Sequence, residues 1–181
     1  MIALLLACNG SGAGSGGSTD AALIADYDGL DGENTWVYRD DGDTGIPDED
    51  RLLATRHTGD GVVELRRGVR WADAETVGTL VWAMSDGLGL ASWSVFGSGS
   101  GDYPLSDFDP EAGEVSSQGD WSCEASRPAE GESTWYGTFE DVFVFDCEGG
   151  GLEGRYVFAR DVGLIRLTLP DGGGLNLVAP W

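Results

Sequence analysis

From Val142 to Cys147 the chain reads Val-Phe-Val-Phe-Asp-Cys, a run in which branched and aromatic side chains alternate. Successive side chains of a strand point to opposite faces, so Phe143, Phe145 and Cys147 share one face. Glu148-Gly149-Gly150-Gly151 breaks the run, and Tyr156 to Arg160 forms a second aromatic run. Asp161-Val162-Gly163 bends or bulges the chain. Beyond it Ile165, Leu167 and Leu169 alternate with Arg166 and Thr168. The pattern predicts three antiparallel strands whose inward residues form the middle of a core.

The rest of the chain extends this reading. Asp20 to Asp28 suits one short helix with Asp20 as its N-cap. Strands are predicted over Thr35–Arg39, Arg51–His57, Val62–Arg67, Val77–Met84 and Leu88–Phe96. Ser85-Asp86-Gly87 between the last two is a strong hairpin signal. Trp82 and Trp93 flank that hairpin and are expected to face each other across it. Gly97 to Gly101 reads as a flexible loop, and Pro104 and Pro110 argue against regular structure over Pro104–Ser117. Further strands are predicted over Gly119–Ser126, Glu132–Trp135 and Leu175–Val178. The chain has 181 residues and 30 glycines. The expected fold is all-β: one domain over 20–181, an antiparallel meander of about ten strands. It forms a curved sheet, a partly or fully closed barrel, with a two-sheet sandwich as the alternative. A domain of this size buries roughly 70% of its unfolded surface and needs no metal to fold.

The formal net charge is −22, and all ten basic residues are arginine. The absence of lysine excludes Schiff-base chemistry and the phosphate-cradling lysine of a P-loop. So negative a field repels nucleic-acid phosphates and anionic lipid headgroups, so no nucleic-acid partner is expected. Cations and basic partners remain open, and the simplest role of the charge is solubility.

Three cysteines are present. Leu5-Leu6-Ala7-Cys8, after an apolar run and before Asn9-Gly10-Ser11-Gly12, resembles a bacterial lipobox. The resemblance implies a signal peptide over 1–7, acylation of Cys8, and a lipid anchor in the cell envelope. Residues 8–19 would then be the lipidated cysteine and a Gly/Ser tether, spanning roughly 15–18 Å over Gly10–Ser18. Asn9 in place of the Asp that retains some lipoproteins in the inner membrane implies the outer membrane. The segment Met1–Ala7 lacks the basic residues of such signals, so a start codon upstream is expected. Its alternative is a buried N-terminal strand. In an oxidising, exported setting Cys123 and Cys147 are expected to pair, because Cys123 shares a face with Trp121 and Ala125, and Cys147 with Phe143 and Phe145. The crosslink would add about 3 kcal/mol. The alternative is two buried thiols.

Gly137-Thr138-Phe139-Glu140-Asp141, followed by Tyr156-Val157-Phe158-Ala159 and Val162-Gly163-Leu164-Ile165-Arg166, resembles a paired signature of secreted bacterial β-domains and lipoproteins. Those read G-T-F-x-D, then Y-Y-x-A-x-x-V-G-L-V-K. Trp36-Val37-Tyr38-Arg39 resembles the W-x-Y strand that opens them. The chain departs from the signature at Asp161, where Gly is usual, and at Arg166 in place of Lys. Such domains carry no assigned activity, so the resemblance transfers a fold and no catalytic residue.

Candidate sites are few. Asp41, Asp43, Asp48 and Asp50 lie in an acidic loop, Asp40–Asp50, that partly resembles the aspartate-glycine calcium repeats of secreted proteins. Alternating carboxylates can wrap an oxygen-seeking ion, with Asp26, Asp28 and Asp31 as further donors. The alternative is a solvated hairpin loop. His57 is the only histidine and would have to serve any hydrolytic triad, yet no nucleophile motif accompanies it. The 32 acidic residues make carboxylate pairs inevitable, so abundance selects none. Seven tryptophans, Trp36, Trp71, Trp82, Trp93, Trp121, Trp135 and Trp181, could line a sugar-binding or apolar concavity, although core packing is their default.

These readings converge on a monomeric, lipid-anchored envelope protein with a non-catalytic binding or structural role. A carrier or chaperone holding an apolar ligand or lipid in the sheet concavity is the alternative, and a hydrolytic enzyme comes third. A carrier needs an open apolar cavity. A binding module needs an exposed aromatic or acidic patch and a filled interior.

Overall fold

The computed structural model describes residues 35–39, 52–57, 61–67, 75–83, 87–107 and 109–180. Among them there are fourteen strands and no helix. The first six are β1 (Thr35–Arg39), β2 (Leu52–His57), β3 (Val62–Arg67), β4 (Glu75–Ala83), β5 (Leu88–Trp93) and β6 (Gly99–Ser106). The others are β7 (Val115–Gln118), β8 (Trp121–Ser126), β9 (Glu132–Ser133), β10 (Thr138–Phe139), β11 (Val142–Glu148), β12 (Gly154–Ala159), β13 (Gly163–Thr168) and β14 (Gly174–Pro180).

Twelve strands form one sheet in the order β6-β5-β4-β3-β2-β1-β14-β13-β12-β11-β8-β7. Every neighbouring pair is antiparallel, as all-β folds with short turns favour. The fold class is therefore the expected one, a curved antiparallel sheet, but it is two meanders rather than one. β1–β6 run in order, and β7, β8 and β11–β14 form the second set. They join where β1 pairs with β14, Trp36 opposite Pro180 and Arg39 opposite Asn176. The free edges are β6 and β7, consecutive in the chain.

The sheet curls until β6 lies against β7 and β8. No ladder joins β6 to β7 among the described residues, so backbone hydrogen bonds do not close a barrel. Side chains make the seam instead. The indole Nε1 of Trp121 donates to the carbonyl of Pro104 at 2.8 Å. The ring of Tyr103 stands edge-on to Trp93 at 5.3 Å and to Trp121 at 5.4 Å. Glycine lets the backbone approach these rings. A Cβ on Gly99 would stand 2.3 Å from the Trp93 ring, and one on Gly151 would stand 2.6 Å from the Trp121 ring.

The seam corrects two expectations. Gly97–Gly101 is not simply a loop, because Gly99 opens β6, and Pro104 lies inside that strand. Proline is tolerated at a sheet edge, where its missing N–H breaks no ladder. The strand count is also higher than ten, because short strands such as β7 and β10 have no long apolar alternation.

The predicted central strands are present. β11 pairs with β12 and β12 with β13, and a bulge between Val157 and Phe158 absorbs a register shift. Asp161 takes a left-handed backbone in the turn between β12 and β13. Short polar side chains tolerate that conformation. The rings of Phe145 and Phe158 are 6.0 Å apart, and Trp82 packs edge-on against Tyr156 and Phe158 from β4. Trp82 and Trp93 are not opposite each other. The register sets Trp82 against Leu90 and Leu80 against Trp93, with a bulge between Val81 and Trp82. The hydroxyls of Tyr156 and Tyr38 donate to the carbonyls of Leu152 and Leu164. Burial raises both phenol pKa values far above the ordinary tyrosine range.

Val142, Val144 and Val157 are buried as well as Phe143, Phe145 and Phe158. A strand buried on both faces needs a second layer. The excursion between β8 and β11, which carries β9 and β10, meets the outward face through Arg155, Arg166 and Asn176, which bond to Glu132, Ser133 and Trp135.

Candidate functional site

Two surfaces stand out among the described residues. The first is the tip of the β9–β10 hairpin. Ser133 and Thr138 pair across it, their hydroxyls 3.0 Å apart. Thr134 turns the chain: its amide donates to the Gly137 carbonyl at 2.8 Å, and its Oγ1 accepts from the amides of Tyr136 and Gly137. The tip is then fastened to β14. The Trp135 amide donates to Oδ1 of the buried Asn176 at 3.1 Å, and the Tyr136 amide donates to the Leu177 carbonyl at 3.0 Å.

Ion pairs fix the base of the hairpin to the sheet. Glu132 accepts from Arg155 at 2.6 Å and lies 3.9 Å from Arg166. Arg155 also reaches Asp146 at 3.2 Å. Burial lowers the tendency of Arg155 to stay charged, but the Glu132 and Asp146 carboxylates outweigh it and raise its pKa above the ordinary value. Asp141 joins Arg127 at 2.6 Å to Arg160 at 2.7 Å. Each pair is partly exposed and individually weak. Together they hold a two-strand hairpin that would be unstable alone.

The side chains at this fixed tip face solvent. Trp135 is 62% exposed and Tyr136 is 53% exposed. The Arg39 guanidinium lies 4.8 Å from the Trp135 ring centroid, and the Tyr136 ring rests 6.2 Å from Phe139. Trp, Tyr and Arg together are the side chains most enriched at recognition hot spots. Reading Trp135 as core by default missed this. The signal was its neighbour: two consecutive aromatics cannot both face inward in an alternating strand.

The second surface is a pair of adjoining recesses at one end of the sheet. One, of about 420 Å³, is walled by Trp93, Phe96, Leu152, Leu169 and Pro170, with Glu153 and Asp171 on its lining. The other, of about 520 Å³, shares Glu153, Leu169 and Pro170 and extends to Asp146, Glu148 and Arg155.

Cys123 and Cys147 stand directly opposite each other on β8 and β11, with their sulfurs 2.08 Å apart, a bonding distance. Cys8, Asp41, Asp43, Asp48 and Asp50 lie outside the described residues, as do Asp26, Asp28, Asp31, Trp71 and Trp181. His57 ends β2, and only its backbone is described. Among the described residues no group of three or more His, Cys, Asp or Glu is placed to hold a metal ion. No described helix is long and apolar enough to cross a membrane.

No family model, no curated protein and no solved structure matches this chain.

Proposed function

We propose that this chain is a lipid-anchored protein of a bacterial cell envelope, held through Cys8 and probing its surroundings with the Trp135–Tyr136 tip. Its role is binding or structural rather than catalytic. One observation carries the reading: a tryptophan is held open to solvent by a backbone that is itself fastened at both amides. A fixed, exposed aromatic loses little conformational entropy on contact, which favours recognition. The described interior supports the same reading. Rings from β4, β8, β11 and β12 occupy the space between those strands, where a carrier would keep a cavity.

Site-specific photocrosslinking in the source cells tests this. A benzophenone amino acid placed at 135 is expected to give a discrete crosslinked species in the envelope fraction. The same group at Val115, exposed at 57%, should not. Equal labelling at both positions would overturn the reading. Intact mass of the native protein checks the anchor, which predicts an acylated Cys8 as first residue.

A further inference from the structure

We infer that the groove formed by the two adjoining recesses binds an extended, arginine-bearing segment of a partner protein. This is a site separate from the aromatic tip. The groove is apolar at one end, where Trp93 and Phe96 form a wall, and acidic along the rest, with Glu153 at the junction and Glu148 beyond. Neither the Glu148 nor the Glu153 carboxylate has a hydrogen bond or ion pair among the described residues. Arg155, the one cation among the described residues that line the groove, is already occupied by Glu132 and Asp146. The groove therefore has a surplus of negative charge, in a chain whose net charge of −22 draws cations toward any concave surface.

The chemistry of the two ends selects the ligand. A guanidinium stacks on an aromatic face, is weakly hydrated, and presents N–H donors in the plane that a carboxylate can accept. A phosphate or carboxylate ligand is repelled here. A neutral lipid chain gains nothing from the acidic half. Phe96 holds its ring at this wall from a left-handed backbone, φ 57°, which a bulky residue rarely adopts. The recesses are open on the surface and run into each other, which suits an extended peptide rather than an enclosed small molecule.

The test uses fluorescein-labelled hexa-arginine peptide and the full chain, read by fluorescence anisotropy. Glu153→Gln and Phe96→Leu should each weaken binding about tenfold, the scale of one desolvated cation–aromatic or cation–carboxylate contact. Glu111→Gln, on an exposed loop before β7 and outside both recesses, makes the same charge change as Glu153→Gln and should alter binding less than twofold. Circular dichroism of each variant confirms folding. Equal weakening by Glu153→Gln and Glu111→Gln would mean attraction by overall charge alone and would overturn the proposal. Groove-dependent binding of spermidine without groove-dependent binding of the peptide would overturn it as well.

Discussion

Trp121 and Trp135 place the same side chain in opposite settings. Trp121 is 1% exposed, donates its indole N–H to Pro104, and packs against Tyr103 and Gly151 at the seam. Trp135 is fastened by its backbone, while most of its ring is open to solvent. In the first case the ring is fixed because its neighbours need it. In the second the backbone is fixed so that the ring stays available. The interior rings therefore hold the shell together, while the exterior ring keeps most of its surface exposed beside the Arg39 guanidinium.

The largest effect that would break this contrast is Trp121→Ala. It opens a cavity, leaves the Pro104 carbonyl without its donor and loosens the seam, so urea unfolding should show a loss of about 3–5 kcal/mol. A loss below 1 kcal/mol would mean that the seam does not depend on the ring. Replacing both Cys123 and Cys147 with Ala removes the link between β8 and β11 and should cost about 3 kcal/mol in the same assay. A smaller effect comes from alkaline pH. Tyr38 and Tyr156 have raised pKa values in the folded state, so the folded chain keeps protons that the unfolded chain releases. Stability is full below the ordinary tyrosine pKa of 10.0 and falls as pH rises above it, by up to about 1.4 kcal/mol per pH unit for each tyrosine. Tyr38→Phe should reduce that slope. The smallest effect belongs to Trp135→Ala, expected to change stability by less than about 0.5 kcal/mol, as exposed substitutions do. It should leave the far-ultraviolet spectrum unchanged while removing the species that crosslinks when the benzophenone amino acid is placed at 136 instead.

Much of the shell was legible because periodicity reports burial directly. Val142–Cys147 alternates, and its predicted inward face is the one that meets Tyr156, Phe158 and Trp82. The faces assigned to Cys123 and Cys147 are the same face, and the two residues are register partners. The seam was not legible. Gly99, Gly101 and Pro104 read as a loop by composition, yet they lie in an edge strand paired with β5, where a Cβ on Gly99 or Gly101 would press into the Trp93 or Tyr103 ring. Few apolar side chains alternate along this stretch, so periodicity does not mark it as a strand. The site was partly hidden as well. The adjacent aromatics Trp135 and Tyr136 signal that one ring faces outward, but the fastening of their amides to Asn176 and Leu177, in a turn that exposes both rings, joins residues some forty positions apart. The recesses combine residues from three separate loops, which no single stretch of sequence displays.

The filled interior is the claim that separates the binding role from that of a carrier. Titrating the purified chain with N-phenyl-1-naphthylamine, a probe that fluoresces in apolar cavities, tests it directly. A packed shell gives no saturable signal, and the weak response that remains should be unaffected by an excess of fatty acid. A saturable one-to-one rise displaced by fatty acid would show an open apolar interior and contradict the account in favour of a carrier.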